Sequence, residues 1–175
     1  MPISEAVARM TLTDLQSNET QEVMFNPSDL SRKIAVNYAL KDVLGNSHRE
    51  HEYLQTDNQN LSFDLFHNVE TPEQLLRAED LARFLESLCY GPEDPESIAS
   101  AAPPRVLLVW PRTLSIVARL VSIEFQHQRW NRFGNTIQFT AKCEFQESRI
   151  RRLTKKDVRL LGALRTPQSQ GKLIE

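Results

Sequence analysis

His48 and His51 stand three residues apart beside Glu50 and Glu52, a grouping that could begin a metal site. The surrounding run from His48 to Asn60 has loop composition, and no further His or Cys lies near it in sequence, so the pattern reads as a solvated loop. His67 follows one strand pattern and His127 ends another, and neither has a neighbouring nucleophile or orienting acid of the kind a catalytic triad needs. Acid pairs recur at Glu79-Asp80, at Glu93-Asp94, and as Asp57 with Asp64. Glycosidases use paired carboxylates, one protonating the leaving oxygen while the other attacks or activates water. Here the acids fall on the wet side of a helix pattern or in loops. The five glycines are scattered, with no GxGxxG or GxxxxGK[ST] run to cradle a phosphate. The sequence therefore offers no catalytic residue, no metal ligands and no cofactor site. What it does offer is Trp130, Arg132 and Phe133, an aromatic and basic cluster suited to pressing into a protein pocket or stacking on a base.

The elements that place these residues are mostly strands. Met10 and Leu12 share one parity in residues 8–16, and a second short strand over 20–25 ends at Asn26-Pro27-Ser28, where Pro27 holds Asn26 extended. Residues 31–59 are polar and weakly patterned, and their distal part reads as the longest flexible insertion. Leu61, Phe63 and Leu65 alternate with polar residues, which predicts a half-buried strand. The clearest helix follows: Thr71 as cap, Pro72 at the first helical position and Gln74 closing a capping box. Leu75, Ala78, Leu81, Ala82, Leu85, Leu88 and Cys89 then line one face, and Gly91-Pro92 ends it.

After a proline-rich stretch over 91–104, Val106–Trp110 is a continuous apolar run expected to be buried on both faces. Leu114 to His127 carries Val117, Val121, Ile123 and Phe125 on one parity. Thr136 to Gln146 sets Ile137, Phe139, Ala141, Cys143 and Phe145 against Gln138, Thr140, Lys142, Glu144 and Gln146. Gly134 and Asn135 supply left-handed positions between the two, so they read as a long antiparallel hairpin with one wet face. Leu153 to Leu164 has the pattern of a short amphipathic helix.

Composition sets outer bounds. A length of 175 residues fits one domain, and 40% apolar with 25% charged residues is ordinary for a soluble globular chain. A formal charge of −2 gives no global attraction to nucleic acid or an anionic membrane. No stretch approaches a membrane span or a signal-peptide core. The basic residues are nonetheless concentrated late: Arg149, Arg151, Arg152, Lys155, Lys156, Arg159, Arg165 and Lys172 stand against one acid, Asp157. Cys89 and Cys143 lack any ligand or disulfide spacing and read as packed thiols in a reduced compartment.

From Phe25-Asn26-Pro27-Ser28 onward the chain resembles the tube family of contractile injection systems. That family includes adaptor proteins, often carrying a LysM module, that join a baseplate hub to an inner tube. The strand Leu61-Ser-Phe-Asp-Leu-Phe66, the helix from Pro72, the Pro103-Pro104 entry to a strand ending at Trp110, the strand Ala118–Phe125, and the turn Asn131–Asn135 with the strand to Glu147 follow in the family's order. The resemblance covers roughly residues 20–150 and implies an α+β fold: antiparallel sheets, barrel-like, with one flanking helix. It implies a tail-tube-like domain over 1–150 and a basic extension over 151–175, too short for a LysM module.

As expectations, it implies a six-fold ring of copies in a phage tail or injection particle, at the baseplate hub or as tube initiator. Its neighbours would be a spike protein, the tube or a second initiator, and wedge proteins. Assembly in a bacterial host cytoplasm, no enzymatic activity, no membrane, and DNA only in passage through the lumen complete the expectation. The subunit interface is expected at Trp130, Arg132, Phe133, Arg149, Arg151, Arg152, Lys155 and Lys156, and the lumen face at Gln138, Thr140, Lys142 and Glu144. A competing reading is a binding module that holds nucleic acid or protein with the Trp130–Phe133 tip and the basic tail.

Overall fold

A computed structural model of the chain describes residues 8–42, 44–45, 47–93, 101–149 and 155–156. Its main element is a seven-stranded antiparallel sheet. Strands β1 (Thr11–Asp14), β2 (Thr20–Glu22), β3 (Leu30–Lys33), β6 (Asn60–Asn68), β7 (Val106–Trp110), β8 (Leu114–Trp130) and β9 (Thr136–Glu147) stand in the order β2-β1-β7-β8-β9-β6-β3. Strands β4 (Val36–Lys41) and β5 (Glu50–Thr56) pair only with each other, and one helix, α1 (Pro72–Ser87), completes the fold. This is the expected α+β arrangement, with the sheet left open instead of closing on itself. Among the described residues no helix is long and apolar enough to cross a membrane.

The helix forms as its sequence dictates. The Thr71 side chain accepts from the Gln74 backbone N–H, and Gln74 Oε1 accepts from the Thr71 backbone N–H at 3.2 Å, a complete capping box. Ala78, Leu81, Phe84 and Leu85 are buried, and Leu88 caps the far end, so the helix stops before Gly91-Pro92. Cys89 falls just beyond that cap and is exposed, contrary to the packed position its spacing suggested. The periodicity ended one residue too early to carry it inward.

The sheet supplies the rest of the core. Leu61, Phe63 and Leu65 of β6 and Phe139, Ala141, Cys143 and Phe145 of β9 are buried, as their alternation predicted. In β7 only Val106 and Leu108 are fully buried, while Leu107, Val109 and Trp110 are half-buried, so this strand has one core face instead of two. Strand β8 departs further. Its register against β9 shifts between Leu120 and Ser122, leaving Val121 as an extra residue that is exposed. Before the bulge the inward side chains are Leu114, Ile116, Ala118 and Leu120, and after it they are Ile123 and Phe125. A single parity running through Val117, Val121, Ile123 and Phe125 therefore crosses from one face to the other. At the β8–β9 turn only Gly134 is left-handed (φ 85°), whereas Asn135 is not.

The largest correction concerns residues 31–59. The run from His48 to Asn60, expected to be a flexible insertion, is instead the returning half of one long bent hairpin. The inner half of the hairpin is β3 paired with β6, and its outer half is β4 paired with β5. Val36, Tyr38 and Leu40 alternate with polar residues and meet Thr56, Tyr53 and His51 across the ladder, so the period-two signal was present among the charges. Of the helix expected within Leu153 to Leu164 only Lys155 and Lys156 are described, and both are helical; the rest of the span lies outside the described residues.

Candidate functional site: sheet edges, a free arm and a cleft

The outer hairpin, hereafter the arm, stands free of the sheet. One face carries Val36, Tyr38, Leu40 and Tyr53, all exposed, with Tyr38 contacting the rings of His51 at 5.8 Å and Tyr53 at 6.2 Å. The other face carries Asn37, Ala39, Glu52 and Gln55. At its base Asp57 Oδ1 accepts from Asn37 at 2.9 Å and from Gln55 at 3.2 Å, which fixes the elbow. A two-stranded ribbon alone is marginal in water, and an apolar face left open on one is a docking surface more often than an accident.

Two stretches of sheet edge are also open. β2 is the terminal strand on one side. On the other, β3 pairs with β6 only from Asn60 to Phe63, so among the described residues the edge of β6 from Leu65 to Asn68 has no strand against it. Between these edges and α1 lies a cleft of about 440 Å³, lined among others by Arg9, Gln21, Phe25, His67, Gln74 and Arg77. The Phe25 and Phe66 rings meet across its outer side at 6.0 Å. Phe25 is held there because Asn26 clasps the chain beside it: its Oδ1 accepts from the Met10 N–H at 2.9 Å and its Nδ2 donates to the Ala8 carbonyl at 2.9 Å.

His67 closes the inner side of the cleft. It is 1% exposed, it stacks on Phe139 at 4.5 Å, and its ring nitrogens make no well-formed hydrogen bond, the Leu65 carbonyl being the acceptor beside them. Burial holds its pKa down, from the ordinary 6.5 to about 4, with the Leu65 carbonyl offsetting this only in part. Cys143 is shifted the other way: burial, then the charge of Asp64, push its thiol up to about 12.

The residues singled out from sequence are placed as follows. Trp130 and Phe133 are exposed at the β8–β9 tip, with the Arg132 guanidinium 4.7 Å over the Phe133 ring. Arg149 pairs with Glu147, Lys155 and Lys156 are exposed and helical, and Arg151 and Arg152 lie outside the described residues. Gln138, Thr140, Lys142 and Glu144 share the sheet face opposite α1, where Lys142 reaches Glu124 at 3.9 Å and Glu144 accepts from Ser122 at 2.9 Å. His48 and His51 do not converge on further ligands; among the described residues no three of His, Cys, Asp and Glu gather as a metal site would require. Glu79 faces Arg83 at 4.0 Å on the wet side of α1, and Asp64 lies opposite Lys142 on the outer face. Composition and motif spacing gave no hint of the cleft, because its walls come from residues 9–25, 67 and 74–81.

The family model described as contractile injection system tube protein matches residues 6–156 of the chain. The chain belongs to this family. The matched span of this tube-family chain takes in every strand and the helix described above. Among solved structures, the chain is similar to one from the cryo-EM structure of the anti-feeding prophage (AFP) baseplate, 6-fold symmetrised. That similarity has 16% identity over 89% of this chain and 99% of that one, with a TM-score of 0.36. No curated protein matches the chain.

Proposed function

We propose that this tube-family protein assembles as a ring of copies in the baseplate region of a contractile tail or injection particle. There it acts as hub adaptor or tube initiator, joining the spike hub below to the inner tube above. The observation that carries this reading is the open sheet: a terminal β2, an uncovered stretch of β6 and a projecting arm with an apolar face, all in one subunit. Natural proteins cover or blunt such edges, and a closed ring of identical subunits covers them without a further partner.

In such a ring the polar face bearing Gln138, Thr140, Lys142 and Glu144 lines the lumen, since it is hydrophilic and continuous along β9. The Trp130–Phe133 tip and the basic residues Arg149, Arg151, Arg152, Lys155 and Lys156 serve contacts with a neighbouring subunit. The role is structural and takes no cofactor.

Light scattering and negative-stain electron microscopy of the purified protein test the reading. Rings of about six subunits are expected, with assembly rising as concentration rises. A protein that stays monomeric at high concentration, alone and mixed with its tube and spike proteins, would overturn it. Binding of oligonucleotides that weakens steeply with salt would instead favour the nucleic-acid alternative.

A further inference from the structure

The cleft between β2, β6 and α1 has the features of a place left open for one more strand. Among the described residues no strand covers the β6 edge from Leu65 to Asn68, because β3 stops pairing at Phe63. In this register the odd residues of β6 turn their backbone groups to β9, as Glu147 N–H to Gln59 O at 2.8 Å and Val69 N–H to Ile137 O at 2.8 Å mark at its two ends. The N–H and C=O groups of Phe66 and Asn68 therefore point into the open side. His67, buried with no partner nearer its ring nitrogens than the Leu65 carbonyl, lies behind the same edge. Buried polar atoms without partners are rare in a finished assembly.

We infer that the arm of a second copy fills this cleft, adding an edge to β6 of its neighbour. The inference rests on the ring reading and specifies its contact. Complementarity on both sides of the incoming ribbon supports this occupant. The helix side of the cleft presents Ala78 and Leu81 at depth and two polar side chains, Gln74 and Arg77, and Arg77 has no ion-pair partner among the described residues. The polar face of the arm brings Glu52, Asn37 and Gln55 to that side. The outer side is marked by the exposed Phe25 and Phe66 rings, and the apolar face of the arm brings Tyr38 and Tyr53 to them. Arm and cleft lie on different parts of the subunit, so the contact is head-to-tail, and repetition closes a ring when the rotation allows. Main-chain pairing supplies the affinity and the two faces fix which way round the arm enters.

Disulfide trapping in the full-length chain tests this. In a Cys89→Ser, Cys143→Ala background, Glu52→Cys combined with Arg77→Cys is expected to give, on mild oxidation, a ladder of covalent multimers on a non-reducing gel. Glu52→Cys combined with Arg83→Cys, on the far side of the helix, is expected to give none. Arg77→Glu should lower the assembled fraction several-fold, and Glu52→Arg in the same chain should restore it. Independently, hydrogen exchange at the amides of Phe66 and Asn68 should slow at least tenfold on assembly. Assembly without the ladder and without slowed exchange would overturn the docking site while leaving the ring intact. Failure to assemble under any condition would overturn both.

Discussion

Asn26 lies in the Phe-Asn-Pro-Ser stretch that carries the family resemblance, and its amide explains why that residue type belongs there. It bridges the Met10 N–H and the Ala8 carbonyl, extending the β1–β2 pairing past the last ladder rung. Asn26→Ala leaves the N–H of the buried Met10 unsatisfied and should cost about 1–3 kcal/mol, read by urea denaturation monitored by circular dichroism. His67 makes a second prediction. Its folded pKa of about 4 lies below the ordinary 6.5, so the neutral ring is the one the fold accepts. Its contribution is fully present above about pH 6.5 and is lost as pH falls toward 4, amounting to roughly 3 kcal/mol across that window. Phe in its place should flatten that part of the stability–pH curve. The two thiols give a third test: native protein should react with a thiol reagent at Cys89 alone, and unfolded protein at both, because Cys143 is buried. None of these three environments was legible from residue type. Asn26 read as a turn former, His67 as a strand end and Cys89 as a core thiol, since partners brought from distant sequence decide each.

Local elements were more legible than their exceptions. The capping box of α1 is written in Thr71, Pro72 and Gln74, and Thr71→Ala should cost about 1 kcal/mol of stability by thermal melting. The alternation of β6 and β9 told which side chains go inward, and it held along both strands. It failed in β8, because a bulge is one residue of backbone irregularity with no obligatory side-chain signature. Val121 makes the difference testable. Val121→Ala, at an exposed site, should shift stability by no more than about 0.5 kcal/mol. Deleting Val121 would force Leu114–Leu120 or Ile123–Phe125 onto the wrong face and should abolish cooperative melting. The arm was missed for another reason. Its apolar residues face solvent within the single chain, and in β5 Tyr53 and Leu54 stand side by side at a register shift, which breaks the alternation.

For the whole molecule, the sheet is completed by strands far apart in sequence. A subunit lacking residues 36–56 retains every strand of the main sheet and α1. Such a truncation, closed by a short Gly-Ser link, should melt cooperatively yet remain monomeric by light scattering. In the proposed ring the edges and the arm are completed by neighbouring copies, a relation that no single residue could announce. The order of strands also has a consequence for how the chain is made. β1 pairs with β7, a separation of 98 residues at Thr11 and Val109, and β6 pairs with β9, its rungs running from Asn60–Gln146 to Asn68–Gln138. A ribosome delivers the chain from its N-terminus, so β1, β2, the arm and α1 are all exposed before the strands that hold them are synthesised. The β8–β9 hairpin, last to emerge, joins the two halves of the sheet. Stalled or truncated products ending before Thr136 would present bare strands and the aromatic arm together, the form most prone to aggregate in the producing cell.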